Sequence, residues 1–447
     1  MQIIHHGAHK GVTGSCHELQ LDDSKSLLID CGVFQGADAG KHRSMEIEFS
    51  IRNLVALIVT HVHADHVGRI PFLFEAGFHG PIFCSIPTAR LLPIMLEDGI
   101  KLGITRNKET IRKFMSDLKH RLRPIEFDEW VEITGGAKIR MTPSGHVLGA
   151  SVVEIDYNEE RFVFSGDIGS RHTPILFDPK SPERADVLVL ESTYGDRIHE
   201  DRENRMRRLE SILCRTMENR GVTLIPAFSL GRTQELLYEL NRIFEDIEYK
   251  RSCTLIEKID VIVDSPMALK LTDIYNDSKE HWDEDAKRIL SVDSEPLIFK
   301  NLIEIDENNE HRGTVDHLKR TGKPAIVIAG SGMCNGGRIM DYLKEFLDKE
   351  TTDIVFVGYQ AFGTLGRYIQ ESAGKPGAKV TIDHRQIPVK AKVHTLSGYS
   401  AHADQKDLLE FVQGMPSRPK LIRLVHGEDH AKEVLKGKLE ELGFVVG

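Results

Sequence analysis

The stretch "THVHADHVGRIP", residues 60–71, decides the fold of this 447-residue chain. It directly follows the apolar run "LVALIV" and holds three histidines and an aspartate within six positions. Alternate positions after a strand can point together, so one short turn can present two sets of ligands. We assign His61 and His63 to one metal ion, and Asp65 and His66 to a second. The alternative is a polar loop that happens to be rich in histidine, but four ionisable groups this crowded would repel or demand desolvation.

Composition and charge describe an ordinary globular protein. With 40% hydrophobic and 28% charged residues, the chain has the length of two or three domains. No apolar run approaches the roughly 18 residues of a membrane span, and the start "MQIIHHGAHKGVTG" lacks the features of a signal peptide. We therefore expect a cytoplasmic protein that makes no membrane contact. The net charge of −10 does not by itself indicate a nucleic-acid binder, although a basic groove can lie on an acidic protein.

Cysteine usage restricts the metal ligands. The six cysteines are scattered, form no C-x-x-C pair and mostly lie in apolar runs, which predicts buried free thiols. They are Cys16, Cys31, Cys84, Cys214, Cys253 and Cys334. Any metal must then be held by histidine and carboxylate.

The alternation of predicted strands and helices indicates an α/β protein. Seven β-rich runs precede Tyr194, and polar residues follow many of them, at the strand ends where open sheets place their function. Beyond Tyr194, strand, small-residue turn and helix alternate, which predicts a separate parallel-sheet domain. We expect a first domain over 1–195, an inserted domain over 196–385 and a return to the first domain over 386–447.

Two further strand-end residues complete a predicted dinuclear site. His146, in "TPSGHVLGAS", adds a third imidazole to the first ion, and Asp167, in "FVFSGDIGS", bridges both ions with its two oxygens. Taken alone, either residue is equally well a hydrogen-bonded loop histidine or a capping aspartate. Their significance comes from their presence in one chain with the histidine cluster.

Four motifs in fixed order resemble the metallo-β-lactamase fold. They are "LLIDCG", "THVHADH", "SGHVLGAS" and "FSGDIG". The resemblance implies an αββα sandwich with metals at its rim, and it makes Asp30 a residue that supports the ligands without binding metal.

The rest of the chain resembles the β-CASP nucleases, in particular the bacterial and archaeal relatives of the mRNA 3′-end cleavage and polyadenylation specificity endonuclease. The motifs are "LVLESTYGD", "IPAFSLGRTQELL", "GSGMCNGGR", "VGYQAFGTLGR", "SGYSAHAD" and "LVHGE". The resemblance implies an inserted β-CASP domain, a parallel sheet flanked by helices. It assigns Glu191 to the end of the motif A strand, His402 to motif B and His426 to motif C.

These assignments give each residue a role. The second ion is held by Asp65, His66 and His426, with Asp167 bridging. His402 acts as general acid on the leaving oxygen, and the hydrogen bond that it donates to Glu191 favours its protonated form. His394, in "KVHTLSGYS", is the rival of His402 and is kept as an accessory candidate. The four histidines near the start are interpreted as loop residues: His5, His6, His9 and His17.

The resemblance implies a zinc-dependent ribonuclease that hydrolyses single-stranded RNA in the cleft between the two predicted domains, in RNA processing or decay. Two zinc ions activate a water by lowering its pKa, and manganese or iron would fit the same ligands. The products carry a 5′-phosphate and a 3′-hydroxyl. An endonuclease is expected, with a 5′-exonuclease mode left open, as is the homodimer that occurs among relatives.

Small-residue turns and one arginine are candidates for contacts with substrate phosphate. Backbone N–H groups and hydroxyls in such turns can cradle an anion. The candidates are Ser331 and Gly332 in "GSGM", Ser397 and Ser400 in "SGYS", and Arg232 in "SLGRT". Each turn is equally well an ordinary turn.

Three alternative functions were weighed. A hydrolase of a small thioester or lactone would not need the inserted domain, and a DNA-directed relative usually lacks the motif C histidine, which is His426 here. A non-catalytic RNA-binding scaffold is disfavoured because every expected ligand is intact. The chain starts at its first strand and has no long C-terminal extension, so we expect transcript preference to come from the cleft or to be low.

Overall fold

The computed structural model describes residues 1–40, 45–134, 136–200, 202–245 and 256–447. The chain divides into two compact units. Unit 1 comprises Met1–Ile198 and His402–Gly447, and unit 2 comprises His199–Ala401. Strands and helices of the described residues are numbered along the chain.

Unit 1 contains two six-stranded sheets. The first has the order β1-β2-β3-β4-β5-β6, with β1 (Gln2–Gly7), β2 (Cys16–Asp22), β3 (Lys25–Ile29), β4 (Leu54–Ile58), β5 (Ile82–Ser85) and β6 (Leu122–Ile125). The second has the order β20-β11-β10-β9-β8-β7, with β7 (Val131–Thr134), β8 (Ala137–Pro143), β9 (Ser151–Tyr157), β10 (Glu160–Phe164), β11 (Val187–Glu191) and β20 (Leu421–Val425).

The two sheets of unit 1 pack face to face. Their shared core joins Leu27 and Ile58 of the first sheet to Ile139, Val153 and Phe164 of the second. Alternation along each strand turns these apolar side chains toward the opposing sheet. The helices of unit 1 are α1 (Gly36–Ala39), α2 (Ala64–Val67), α3 (Ile70–Glu75), α4 (Ile86–Gly103), α5 (Lys108–Arg121), α13 (Gln405–Gln413) and α14 (Asp429–Glu441).

Helices cover the outer face of the second sheet. Leu408 of α13 and Leu435 of α14 pack in one cluster with Val163, Leu188 and Ile422. The layers confirm the αββα sandwich expected for this unit.

Unit 2 is built on a parallel sheet with the order β14-β13-β15-β12-β16-β19. Its strands are β12 (Val222–Pro226), β13 (Asp260–Asp264), β14 (Leu302–Glu304), β15 (Ala325–Ala329), β16 (Asp353–Phe356) and β19 (Lys392–Thr395), beside the hairpin of β17 (Lys379–Ile382) and β18 (Arg385–Pro388). The helices are α6 (Arg205–Glu218), α7 (Arg232–Glu245), α8 (Pro266–Asn276), α9 (Glu284–Ile289), α10 (Asn308–Thr321), α11 (Ile339–Phe346) and α12 (Leu365–Ser372). Parallel strands with helical crossovers confirm the α/β class of the inserted domain.

The ends of unit 2 differ from the expected domain limits. The unit begins at His199, close to the expected limit after residue 195, but it extends to Ala401. The segment from 386 onward was expected to return to the first domain. Instead, β19 pairs with β16, residue Lys392 opposite Asp353, and so belongs to the sheet of unit 2.

Two expectations from composition concern membranes and thiols. Within the described ranges, no helix has both the length and the apolar character needed to cross a bilayer. Cys16, Cys31, Cys84 and Cys334 are buried free thiols, and Cys214 is half-buried. Cys253 lies outside the described residues.

Candidate metal centre

The histidine-rich turn follows β4 and leads into the short helix α2. His63 occupies the N-cap of α2, and Asp65 and His66 lie within the helix. Gly32 packs directly against this turn. Only glycine fits there, because a Cβ atom on residue 32 would lie 1.6 Å from the carbonyl oxygen of Asp65. The backbone of Cys31 also donates to the carbonyl of His66 at 2.7 Å. Main-chain contacts therefore hold the turn before any metal is considered.

Four side chains form a first group of donors: His61, His63, His146 and Asp167. Nδ1 of His63 lies 3.1 Å from Nε2 of His61 and 3.0 Å from Nε2 of His146. Both Nε2 atoms lie 3.5 Å from Oδ2 of Asp167. The loop that carries His146 is fixed through Gly149, whose carbonyl accepts from Ser85 at 2.6 Å.

A second group of donors lies on the other side of Asp167: Asp65, His66 and His426. Nε2 of His66 is 3.2 Å and Nε2 of His426 is 3.4 Å from Oδ1 of Asp167. Oδ2 of Asp65 lies 3.9 Å from Nε2 of His426. The two oxygens of Asp167 thus face different groups, as a bridging carboxylate requires.

The donor sets fit two metal ions. Tetrahedral zinc with Zn–N of ~2.0–2.1 Å separates its ligand atoms by roughly 3.3–3.4 Å. The donor–donor distances are 3.0 to 3.5 Å in the first group and 3.2 to 3.9 Å in the second, around that value. Nε2 of His66 and Oδ1 of Asp167 are buried 3.2 Å from each other and have no further hydrogen-bond partner in the described part of the chain. Buried polar atoms are rarely left unsatisfied, so a cation between them accounts for their placement.

Three of the donors have protonation states that suit metal binding. Burial lowers the pKa of His63 to about 4, an effect that the nearby Asp65 and Asp167 only partly offset. Burial, together with the neighbouring His66, also lowers the pKa of His61 well below its usual range. Burial alone would raise the pKa of Asp167, but the imidazoles of His426, His66 and His61 hold it well below its usual range. Neutral imidazole and ionised carboxylate are the ligand forms of these side chains. Burial alone would lower the pKa of His66, but Asp167 and Asp30 outweigh it and raise this pKa well above its usual range, so His66 gives up a proton when a metal binds.

Asp30 links the two donor groups by contacting His66 of one and, through Thr60, His61 of the other. Its backbone has a left-handed φ of 60°, and it is 1% exposed at the end of β3. Oδ2 lies 2.7 Å from Nδ1 of His66 and accepts from the Thr60 hydroxyl at 2.9 Å. That hydroxyl lies 3.2 Å from Nδ1 of His61. The carboxylate thus orients His66 directly and His61 through Thr60, leaving both Nε2 atoms to face the donors.

His402 lies beside the donor groups and pairs with Glu191. Its Nδ1 is 3.2 Å from Oε1 of Glu191 and 4.0 Å from Oδ2 of Asp167. Glu191 is fully buried at the end of β11 and accepts from the backbone N–H of Ile168 at 2.7 Å. Burial on its own lowers the pKa of His402, but the charge and hydrogen bond of Glu191, with Asp167 and Asp65, outweigh it and raise this pKa to about 9.

The "SAHAD" segment holds His402 in place on both sides. The His402 carbonyl accepts from the Ser170 hydroxyl at 2.7 Å, and the Ala403 N–H donates to the carbonyl of Ile168 at 2.7 Å. Asp404 caps α13 by accepting from the N–H of Asp407. All of the metal and acid–base candidates therefore lie in unit 1.

His394 lies in unit 2 and is engaged elsewhere. Its Nε2 is 2.7 Å from Oδ1 of Asp353, a fully buried carboxylate that also pairs with Arg215. An accessory role of His394 in catalysis would require it to give up its contact with Asp353.

The phosphate-binding candidates are all in unit 2. Ser331 accepts from the N–H of Asn335 at 3.0 Å, and Gly332 lies against the Phe228 ring. Ser397 accepts from the N–H of Glu200 at 3.0 Å. The carbonyl of buried Ser400 accepts from Arg202.

Arg232 differs from its expected role. It is 4% exposed and forms an ion pair with Glu235 on the same helix. Burial, with Arg202 and Arg205 nearby, lowers its pKa to about 9. A guanidinium buried in an ion pair is not presented to a phosphate, so the expectation of a phosphate contact by Arg232 is not supported.

Two hydroxyl residues were missed by sequence reasoning. Thr60 links His61 to Asp30, and Ser15 donates to Asp30 at 3.2 Å. Thr60 directly precedes His61 at the end of a predicted strand, and this position was a signal that its hydroxyl lies near the metal ligands. Ser15 carries no local signal, because the pairing of β2 with β3 brings it to Asp30.

The structure also corrects the interpretation of the N-terminal histidines. His5 and His6 lie in β1, and His17 lies in β2, so these three are strand residues rather than loop residues. His9 alone lies outside a strand, with its ring stacked on that of His5.

Comparisons with known proteins agree with this architecture. Residues 10–212 match the family model described as "Metallo-beta-lactamase superfamily", and residues 233–369 match "Beta-Casp domain". Residues 386–446 match "Zn-dependent metallo-hydrolase RNA specificity domain". Together these three models extend over most of the chain.

Curated relatives match over nearly the whole chain. "Ribonuclease TTHA0252" of Thermus thermophilus is 35% identical over 441 residues, which are 98% of this chain and 96% of that protein. "Transcription termination factor FttA" of Methanocaldococcus jannaschii is 32% identical over 95% of this chain, and that of Methanosarcina mazei is 30% identical over 95%. The matches cover 66% of each FttA protein.

A solved structure shares the fold. It is a protein of unknown function from Enterococcus faecalis V583, with a TM-score of 0.56 and 12% sequence identity, covering 99% of this chain and 96% of that one. At this identity the likeness concerns the fold alone. The three matched family models and the relative from Thermus thermophilus show that the chain belongs to the β-CASP family of the metallo-β-lactamase superfamily.

Proposed function

We propose that this protein is a zinc-dependent ribonuclease that hydrolyses phosphodiester bonds of single-stranded RNA. The observation that carries the proposal is the pair of donor groups that share Asp167, with His402 beside them. A dinuclear site with an adjacent acid–base histidine suits hydrolysis at phosphorus, where an attacking and a leaving oxygen must both be stabilised.

The ligand assignment follows from the two groups. His61, His63 and His146 would hold the first ion, and Asp65, His66 and His426 would hold the second, with Asp167 available to both; the proximity of their donor atoms supports this grouping. When bound, two zinc ions supply Lewis acidity toward the phosphoryl oxygens and a water of lowered pKa. The lack of any cysteine among these donors leaves manganese and iron as competitors for the same ligands.

The remaining chemistry belongs to side chains of unit 1. His402 holds a proton because Glu191 stabilises its cationic form, so it is able to protonate the departing ribose oxygen. Glu191 is held by the N–H of Ile168 and stays aimed at Nδ1 of His402. Protonation of a 3′-oxygen leaves a 3′-hydroxyl on one product and a 5′-phosphate on the other.

RNA is the proposed substrate for two reasons beyond the site. The family model that matches residues 386–446 is described as an RNA specificity domain, and the Thermus thermophilus relative is named a ribonuclease. His426 supports the same choice, because it is the motif C histidine that DNA-directed relatives usually lack, and its Nε2 lies with Asp65 and Asp167 in the second donor group. Ser331, Gly332, Ser397 and Ser400 remain the proposed contacts for substrate phosphate.

The test is a time course on 5′-labelled single-stranded RNA, run beside DNA of the same sequence and a small thioester. Asp65→Ala serves as the control because it removes a ligand of the second ion. Internal RNA fragments with 5′-phosphates, absent with the variant, are expected for an endonuclease. Immediate release of labelled mononucleotide would instead identify a 5′-exonuclease. Thioester turnover with intact RNA would overturn the proposed substrate.

A further inference from the structure

A chain of polar side chains runs from Asp30 away from the metal centre, through β2 to β1. The Ser15 hydroxyl donates to Oδ2 of Asp30 at 3.2 Å and lies 3.5 Å from Nε2 of His17. Nδ1 of His17 lies 3.0 Å from Nδ1 of His5. None of Ser15, His17 and His5 belongs to the donor groups. The backbone N–H of Ser15 also donates to the carbonyl of Asp65 at 2.8 Å, but its hydroxyl reaches the metal centre only through Asp30.

The directions of these hydrogen bonds are mutually determined. Because the hydroxyl of Ser15 gives its proton to Asp30, its oxygen accepts from Nε2–H of His17. Nδ1 of His17 then carries a lone pair and accepts from Nδ1–H of His5. Nε2 of His5 becomes the bare nitrogen, and it is indeed buried with no hydrogen-bond partner among the described residues. In this series of hydrogen bonds, His5, His17 and Ser15 therefore each donate in the direction of Asp30.

Both imidazoles have the neutral form that this pattern needs. Burial, followed by the neighbouring His5, lowers the pKa of His17 well below its usual range. Burial, followed by the neighbouring His9, lowers the pKa of His5 to about 4. A neutral imidazole has one donor and one acceptor nitrogen, so it accepts a hydrogen bond at one nitrogen and donates one at the other.

The chain ends on the residue that orients His66. Asp30 accepts from the backbone N–H of Thr60 at 2.8 Å and from its hydroxyl at 2.9 Å, besides Ser15. The remaining bond of its Oδ2 is to Nδ1 of His66 at 2.7 Å. Ser15, His17 and Asp30 also line a small cavity together with His66, Asp167 and His426.

We propose that Ser15 and His17 are positioning residues for the metal ion of the second donor group, acting through Asp30 on His66. The Ser15 hydroxyl, oriented by His17, occupies one lone pair of Asp30 and so keeps its carboxylate aimed at Nδ1 of His66, which leaves Nε2 of His66 available as the ligand. This inference rests on the proposed metal sites. It concerns metal affinity rather than the identity of the substrate.

The test measures zinc binding by the full chain in competition with a chromophoric chelator. Ser15→Ala removes the hydroxyl donor to Asp30. His17→Phe keeps a ring that packs near Phe164, whose centroid lies 6.2 Å from that of His17, but removes both nitrogens. Each variant is expected to weaken the second zinc by about tenfold, the lower range for changes behind a metal-bound histidine. His17→Gln, which keeps a donor for Ser15, is expected to lose less.

Two further readouts separate positioning from general damage. The double variant of Ser15 and His17 is expected to bind zinc no more weakly than Ser15→Ala alone, because one broken link already disconnects the chain. With cobalt in place of zinc, the visible spectrum is expected to change in Ser15→Ala and His17→Phe. It is expected to stay unchanged in His6→Gln, a control in the same sheet whose partner is Glu18.

Several outcomes would overturn the inference. Zinc affinities of Ser15→Ala and His17→Phe equal to that of His6→Gln would do so, as would losses that add fully in the double variant. If His17→Phe does not fold, Ser15→Ala and His17→Gln decide the question by the same criteria. Two tightly bound zinc ions without RNA cleavage would contradict the proposed function and leave this inference standing.

Discussion

Nδ1 of His402 lies 3.2 Å from Oε1 of Glu191, a carboxylate with no solvent exposure that is fixed by the backbone of Ile168. The charge and the hydrogen bond of this carboxylate favour the protonated form of His402. The pair therefore places a proton donor next to Asp167. The proposed proton transfer from His402 depends on this contact.

Glu191→Gln is predicted to move the alkaline limb of the pH–rate profile. A general acid must be protonated, so the rate falls as pH rises through its pKa, which lies at about 9 for His402. Glutamine removes the charge that raises this pKa, so the fall is expected at lower pH. The measurement is kcat/KM for RNA between pH 6 and 10, and an unchanged alkaline limb would show that Glu191 does not act on the acid.

His402→Ala is predicted to retain both metal ions and to lose rate. General acid catalysis contributes about 10²–10⁴-fold, so kcat is expected to fall by that order. Metal analysis and single-turnover kinetics check the two parts separately. His394→Ala is the matched control, since its partner is Asp353 and its effect on kcat is expected to be small. Loss of zinc from His402→Ala would mean that this histidine is a ligand.

Asp65→Ala is predicted to reduce the zinc content from two ions to about one. Asp65 supplies the carboxylate of the second donor group that is not shared with the first. Loss of Lewis acidity worth several kcal/mol corresponds to a fall of about a thousandfold in rate. Glu97→Ala, on the exposed surface of α4, controls for the loss of a surface acid. Full zinc content with normal turnover would refute the ligand assignment.

Glu239→Ala is predicted to destabilise unit 2. Oε1 of Glu239 pairs with Nη2 of Arg205 at 2.6 Å, and both side chains are buried. Removing one member of a buried ion pair takes away the attraction that offsets the desolvation of the other member, at a cost of about 3–5 kcal/mol. Urea unfolding measures the loss, and Glu218→Ala on the exposed side of α6 is expected to change the free energy of unfolding by less than about 0.5 kcal/mol. A similar small change for Glu239→Ala would contradict the prediction.

Most metal ligands could be predicted from the sequence because they are close together in it. His61, His63, Asp65 and His66 lie in one turn, so their spacing alone indicates two donor groups. The hydrogen bonds behind them are not local. Ser15 reaches Asp30 only through the antiparallel pairing of His17 with Ile29, a register that no short stretch specifies.

The two rival histidines show the same limit. His394 and His402 are eight positions apart, and His394 was expected at the end of a strand, whereas His402 was preferred for its "SAHAD" context. The sheet of unit 2 carries His394 to Asp353, whereas an isolated bridge between Gly169 and His402 holds the second histidine beside the donors. Only the pairing of strands distinguishes the roles of the two histidines. The same pairing of β19 with β16 explains why unit 2 ends at Ala401 and not at the expected limit of residue 386.

The most direct test of the central claim is a zinc titration of metal-free protein with cleavage of labelled single-stranded RNA as the readout. The account predicts little turnover with one equivalent of zinc and full turnover as the second equivalent binds, because Asp65, His66 and His426 complete the site. Full turnover by the metal-free protein, or a maximum at one equivalent, would contradict a dinuclear centre.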